Sequence, residues 1–551
     1  MKHKYLTIIA CVALGAPLAA QNINQSVQVT NDYITRFADF QKQGPALQVP
    51  DSLFRFDYDF DYSVFETPYK GAYEFTPYRI EVKPEARLYD GSKLYLRAGA
   101  GYTFHPQLEL AWQMLQEKNF SIGVFAEAGG YLGNYRCRGV DDVLAGHDLN
   151  ARVGVGGQYL TPAVRMSYHF GYEGIFAGVH GENTPFSSSF NSAVVGGRIQ
   201  SRERRDNRFY YDVDLCYRYS GDADLPRTRG SVTGENNFRV AASMGPVLNS
   251  KYGILLDALL ESDALRTVVY EGTENVKTYG EMFGGDIAAL LFGLKPHLDF
   301  LLGPVRLDAG VRLDYSTGKG KEHFTVAPDV KARLALLDAD LELFAGVRGG
   351  QNMHSHYAIK QINHFARRSA ASASVSEEKL RLYGGLQGHW GSRLQYELEG
   401  GYASYASMPL AMLHGVTPVS YKEFFGQAAV SWKDERLELD GVLAYAHRTF
   451  RGTSTAYAPP AFTADVRGRY NWDQRIWAGA FVEAASSRMS LAKDGARIAG
   501  FANVGLTGEY RLDYRWTLWG EAGNLLGMAI ERAPGYIEKG PYLTVGLSLK
   551  M

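Results

Sequence analysis

Three cysteines stand in 551 residues, and none follows Cys216. So few exclude a disulfide framework. Cys137 and Cys216 lie beyond the N-terminal leader, and a single bond between them stays open. Long apolar runs are also missing. After residue 20, no stretch reaches the roughly 18 consecutive apolar residues that a membrane-crossing helix needs. Nor is there an excess of either charge sign. With 58 basic and 59 acidic side chains the formal charge is −1, which gives no basis for binding nucleic acid. Proline is sparse, 20 residues against 60 glycines, 36 tyrosines and 28 phenylalanines. Aromatics and glycine interleaved over hundreds of residues favour strands joined by tight turns.

The chain opens "MKHKYLTIIACVALGAPLAAQ". Lys2 and Lys4 precede a short apolar run from Tyr5 to Gly15, and Ala19 and Ala20 stand before Gln21. This order predicts a secretory signal peptide over residues 1–20. "TIIA" before Cys11 is a loose lipobox, with too few residues ahead of it for a lipidation signal.

What fills the rest is alternation. In "VRLDAGVRLDY" (305–315), Val305, Leu307, Ala309, Val311, Leu313 and Tyr315 are apolar, and Arg306, Asp308, Gly310, Arg312 and Asp314 fall between them. Successive side chains of a strand point to opposite faces, so one face is apolar and the other charged. The pattern recurs almost everywhere after residue 90. "KLYLRAGAGYTF" puts Arg97 on its polar side, and "AVRMSYHFGYE" does the same with Arg165 and His169. "FYYDVDLCYRY" places Asp212 and Asp214 there, and "FTADVRGRYNW" places Asp465, Arg467 and Arg469. Apolar faces end in aromatics, such as Tyr102 with Phe104 and Tyr470 with Trp472. Membrane barrels carry such girdles at both lipid–water interfaces. A soluble β-sandwich also alternates, but it does not need so many strands of about ten residues.

From residue 92 onward about 22 alternating segments can be counted, within a range of about 20 to 24, each with the ten or so residues a spanning strand requires. Residues 201–208, 317–321 and 471–475 read as short turns. Residues 131–147, 220–235, 262–279, 349–379 and 485–496 read as longer loops. Residues 280–302 read as one strand, with Pro296 near an end or at a bulge. The last strand, "GPYLTVGLSLKM", alternates to Met551, the kind of terminal strand that barrel-assembly machinery recognises. The expected fold is therefore all-β. It is a transmembrane antiparallel β-barrel over residues 91–551, set in outer-membrane lipid. Residues 21–90 are expected to form a short extended periplasmic segment, with Phe54, Phe56, Tyr58, Phe60 and Tyr62 spaced by two.

The C-terminal "WTLWGEAGNLLGMAIERAPGYIEKGPYLTVGLSLKM" resembles the end of TonB-dependent receptor barrels, through Asn524-Leu525, Gly535-Tyr536 and Gly540. "VQVTNDYI" and "FDYDFDYSVFETP" are similar to elements that precede the barrel in plug-less, receptor-like proteins of gram-negative bacteria. The resemblance implies an outer-membrane barrel serving transport. The chain departs from the TonB-dependent receptor pattern in one respect: only about 70 residues precede the barrel and they lack a plug-like alternation of strands and helices, so a plug-less barrel is expected. A periplasmic or surface-lipoprotein partner fits that reading. A structural barrel that docks envelope partners is the alternative.

Candidate chemistry is thin. His354, His356 and His364 lie in "MHSHYAIKQINHF", where His354 and His356 would share one face of a strand, but a polar external loop is the simpler reading. No segment carries the signature of a catalytic serine or of a phosphate-binding loop, so no enzyme and no cofactor are expected. The informative set is the polar one: Arg97, Arg165, Asp212, Asp214, Arg306, Asp308, Arg312, Asp314, Asp465, Arg467 and Arg469. Its mixed sign suggests a lumen lined either with cross-strand pairs that hold the wall rigid or as a wet pore without strong ion preference.

Overall fold

The computed structural model describes residues 93–551, apart from 138–142, 181–185, 202–207, 225–228, 249–251, 272–273, 279–285, 319–320, 337–339, 368–371, 414, 493–494 and 539. The signal peptide, the segment 21–90 and the core of the 201–208 turn lie outside the described residues.

The main sheet holds 24 strands. Two are short pieces, Glu274–Thr278 and Tyr536–Glu538, each paired on the rim, and the remaining 22 close a ring. In chain order the ring is β1 (Leu94–Tyr102), β2 (Gln107–Gln116), β3 (Phe120–Cys137), β4 (Val143–Leu160), β5 (Val164–His180), β6 (Phe186–Ser201), β7 (Arg208–Asp224) and β8 (Arg229–Leu248). It continues with β9 (Tyr252–Glu271), β10 (Ile287–Leu302), β11 (Val305–Gly318), β12 (Lys321–Leu336), β13 (Leu341–His354), β14 (Ser374–Trp390) and β15 (Leu394–Met412). It ends with β16 (Gly415–Lys433), β17 (Leu437–Phe450), β18 (Phe462–Trp472), β19 (Ile476–Ala485), β20 (Phe501–Arg511), β21 (Trp516–Gly523) and β22 (Tyr542–Lys550). Each strand pairs antiparallel with the next, and β22 closes on β1, with Leu96 opposite Leu549 and Tyr102 opposite Leu543. The backbone of Met551 joins this seam, since Leu94 N donates to its carbonyl at 2.8 Å and its own N–H returns to Leu94 O. Closure leaves none of these 22 strands at an open edge.

The outer face carries the apolar set. On β16, Phe424 and Trp432 are separated by eight residues, roughly 26 Å along a strand, with Gly426, Ala428 and Val430 between them. Tyr102, Phe170, Tyr219, Phe324 and Tyr445 are exposed toward one end, and Tyr159, Phe209, Trp390, Trp472 and Tyr514 toward the other. Two aromatic belts enclosing an aliphatic band are what a lipid-facing barrel presents. No helix among the described residues is long and apolar enough to cross a membrane.

One end carries tight turns such as 161–163, 303–304, 391–393 and 473–475. The other carries longer connectors, among them 451–461, 486–500 and 524–541. Three expected loops prove to be largely wall. Residues 131–147, 220–235 and 262–279 continue the ladders of β3–β4, β7–β8 and β9, which run 17 to 20 residues. Beyond the bilayer the outward side chains need not be apolar, so the alternation fades while the hydrogen-bonded ladder goes on. The 317–321 turn is short but belongs to the loop end, between β11 and β12. Pro296 lies inside β10, opposite Leu256. It skips part of the β11 ladder and shifts no register, because Leu294 opposite Leu313 and His297 opposite Gly310 keep one frame. Cys137 and Cys216 are both free thiols.

Candidate functional site

The connector between β13 and β14 turns inward. Ser355 is extended, and its hydroxyl accepts from Ala358 N at 3.2 Å, which starts a two-turn helix, α1 (His356–Ile362). This N-cap separates the two histidines expected on one strand face. His354 ends β13 and meets Ser376 Oγ at 2.7 Å, whereas His356 is buried within α1. The expected external loop is instead a strap against the far wall.

Four wall strands hold it. α1 has no acidic residue in its first turn, and Glu235 on β8 takes that role. Its carboxylate accepts from the N–H groups of His356 and, at 3.1 Å, Tyr357, where a helix start has unpaired donors. Asp222 on β7 meets Lys360 Nζ and His356 Nε2, each at 2.9 Å. Ser188 on β6 accepts from Lys360 at 2.6 Å and donates to Asp222 at 2.9 Å. Glu173 on β5 accepts from Tyr357 Oη at 2.8 Å and Gln361 at 2.9 Å, while Arg152 pairs with it at 3.0 Å. Arg218 stacks over the Tyr357 ring at 3.6 Å.

Past the helix, Asn363 donates to Met412 O at 3.0 Å and ties the strap to the β15–β16 rim. His364 meets Asp148 on β4 at 2.6 Å. Burial opposes charge on His364, but the Asp148 carboxylate outweighs it, and its pKa is held above the ordinary histidine value. Phe365 stacks on Tyr536 at 3.7 Å and packs edge-on to Tyr135 in a cluster with Tyr131 and Phe186. The strap therefore has a charged end at β4–β8 and an aromatic anchor beside β3.

The polar residues singled out from the sequence are distributed around the ring and do not converge. Arg306 forms two parallel bonds to Asp299, at 3.0 and 2.7 Å. Asp308 meets His297 at 3.1 Å and Lys295 at 3.6 Å. Arg312 pairs with Asp314 at 2.9 Å and donates to Gln351 O at 2.7 Å. Asp212 is held by Arg198, whose register partner is Asp214. Arg97 reaches Glu509 at 3.5 Å and lies over Trp519. Arg469 pairs with Glu438 at 2.6 Å on the neighbouring strand. Arg467 pairs with Asp465 on its own strand, and Arg165 is exposed beside the 161–163 turn. Asp222 shares the β7 face of Asp212 and Asp214, and that face meets the strap.

Other solved structures share this fold. A copper transporter, OprC, superposes with a TM-score of 0.61 over 84% of this chain and 80% of its own, at 16% identity. The ferric-catecholate import receptor Fiu from E. coli K12 gives 0.60 over 84% and 82%, at 9% identity. The FrpB iron transporter from Neisseria meningitidis gives 0.61 over 83% and 81%, also at 9%. These identities establish a shared fold. The sequence matches no protein-family profile and no curated protein.

Sequence reasoning missed Asp222, Glu235, Glu173 and Lys360. The one local signal was Ser355 ahead of His356, Ile359 and Lys360, a capped helical turn embedded in a β pattern.

Proposed function

We propose that this chain is a transport barrel of the cell outer membrane, resembling TonB-dependent receptors but working without a plug of its own. In this reading the turn end faces the periplasm, and the outer mouth is closed by the α1 strap. The supporting observation is the strap itself, which crosses from β13–β14 to acidic residues on β5, β7 and β8. The band of exposed aliphatics between two aromatic belts supports the membrane setting, and the structural neighbours are named as transporters and import receptors. Arg97, Asp212, Asp214, Arg306, Asp308, Arg312, Asp314 and Arg469 would line the lumen as a rigid wall of paired charges.

Planar-bilayer recording tests this. The intact protein should be closed or nearly so, and a chain with residues 355–367 replaced by a Gly-Ser linker should conduct. If both forms stay silent while the replaced form retains its β signature, the transport reading fails and a structural barrel becomes the better account.

A further inference from the structure

The apolar outer face has a trough in it. The apolar cavity there, about 690 Å³, lies on β12–β16. Its loop-end wall is an in-register row of Val330, Val347, Leu382, Tyr402 and Phe424. Four residues away along the strands, the opposite wall is Leu334, Leu343, Leu386 and Leu398. Between them the floor is Ala332, Ala345, Gly384, Gly400 and Gly426, again in register. From strand spacing and rise, the floor runs roughly 19 Å across five strands, and the wall backbones stand roughly 13 Å apart.

Nothing inside the chain requires glycine on this floor. A Cβ at Gly384, Gly400 or Gly426 would come no closer than 3.4, 3.4 and 3.9 Å to another atom, and none of the three has a positive φ. The inward glycines of the same strands are different. A Cβ on Gly385 or Gly401 would run into the Leu398 or Leu382 carbonyl. Glycine weakens a strand, and in a strand interior it marks the close approach of a ligand or another chain. The space over the outward glycines is therefore kept for something outside the chain. A helix with its side chains is about 10–12 Å across, wider than the gap left once both walls carry theirs. A neighbouring barrel is convex and does not reach the floor. One acyl chain fits.

The loop-end rim of the trough is basic. The next outward row sets Leu380 opposite Ser404 and Ser404 opposite Lys422, and Lys379 is the extra residue of a bulge beside Leu380. Lys379 and Lys422 are exposed, and neither forms an ion pair. Their strands are two ladder spacings apart, roughly 10 Å. They stand just beyond Tyr402 and Phe424, at the level where an aromatic belt meets lipid headgroups.

We propose that this trough binds a phosphate-bearing lipid of the outer leaflet, with one acyl chain along the Ala332–Gly426 floor and its phosphate between Lys379 and Lys422. The inference rests on the outer-membrane reading, with the loop end outside. Inside a bilayer the apolar walls select little, because lipid tails are as apolar as they are. The lysine pair therefore decides which lipid is held, through charge-assisted hydrogen bonds to phosphate, and the floor decides where its chain lies.

Native mass spectrometry of the full chain in mild detergent tests this, with lipid A as the probe. The intact chain should retain lipid A. Lys379→Gln combined with Lys422→Gln should weaken retention by about tenfold. Gly400→Leu fills the floor, leaves both lysines and should weaken it similarly. Diacylglycerol, which lacks phosphate, and inorganic phosphate, which lacks a chain, should not compete. Retention by either variant equal to that of the intact chain overturns the site. Dimers of the intact chain in liposomes that Gly400→Leu abolishes would give the trough to a second copy and overturn it too. Insertion into liposomes separates this site from the reading beneath it. A chain that inserts but retains no lipid A loses the site and keeps the membrane barrel, and one that does not insert loses both.

Discussion

Lys360 Nζ, fully buried in α1, lies 2.9 Å from Asp222 Oδ2 on β7. The two residues are 138 positions apart in the sequence, one on the strap between β13 and β14 and the other on the wall strand β7. Removing one member of a buried pair leaves the other charged and dry, which typically costs about 3–5 kcal/mol. Asp222→Ala strands both Lys360 and His356 and should undock the strap. Lys360→Met leaves Asp222 with His356 and Ser188, so its effect on docking should be smaller. Hydrogen exchange over residues 355–367 reads the difference. Equal protection in both variants would show that the pair does not hold the strap.

Val311 and Asp314 share β11 and face opposite ways, one 45% exposed and the other 1%. Val311→Arg puts a charge on the lipid face and should cost about 2–4 kcal/mol near mid-bilayer. Arg467→Gln breaks an exposed same-strand pair with Asp465, which should cost no more than about 1 kcal/mol. Equilibrium folding into liposomes against urea measures both. Similar losses would show that the two faces are misassigned.

The parts of this fold legible in the sequence are those the bilayer constrains. "VRLDAGVRLDY" forms β11 as its period of two predicts, and its Arg and Asp side chains share one face. Arg306 and Arg312 each serve a neighbouring partner, Asp299 and Asp314. Above the bilayer that constraint ends. On β9, Ser262 and Arg266 flank the inward Asp263 and Leu265, so the apolar period disappears although the strand continues. The helix α1 was hidden for another reason. It has seven residues, and the carboxylate at its start comes from Glu235, 121 positions away. No local pattern encodes a contact of that range.

His364 gives the strap a pH dependence. Its pKa is raised because Asp148 outweighs the cost of burial, with Glu173 adding to the rise and Lys360 opposing it. A histidine whose docked pKa exceeds its free value stabilises the docked form fully below the free value, near 6.5. That stabilisation is lost as pH rises through the docked value. Strap opening should therefore increase as pH climbs above about 6.5, and His364→Gln should flatten the profile. Conductance recorded between acidic and mildly alkaline pH checks the sign, and opening on acidification would contradict it.

Phe365 anchors the other end of the strap, 1% exposed and stacked on Tyr536 at 3.7 Å. Truncation to alanine removes a buried ring and should cost about 3–5 kcal/mol of docking. The 22-strand wall does not depend on that ring, so the melting of the barrel should be unchanged. Phe365→Ala and Asp222→Ala act at separate places on one docking equilibrium. Once either has lifted the strap, the second has little left to disrupt, so the double variant should conduct about as well as the more open single one. Conductances that add would mean that the charged end and the aromatic end move independently, and that residues 355–367 do not open as one piece.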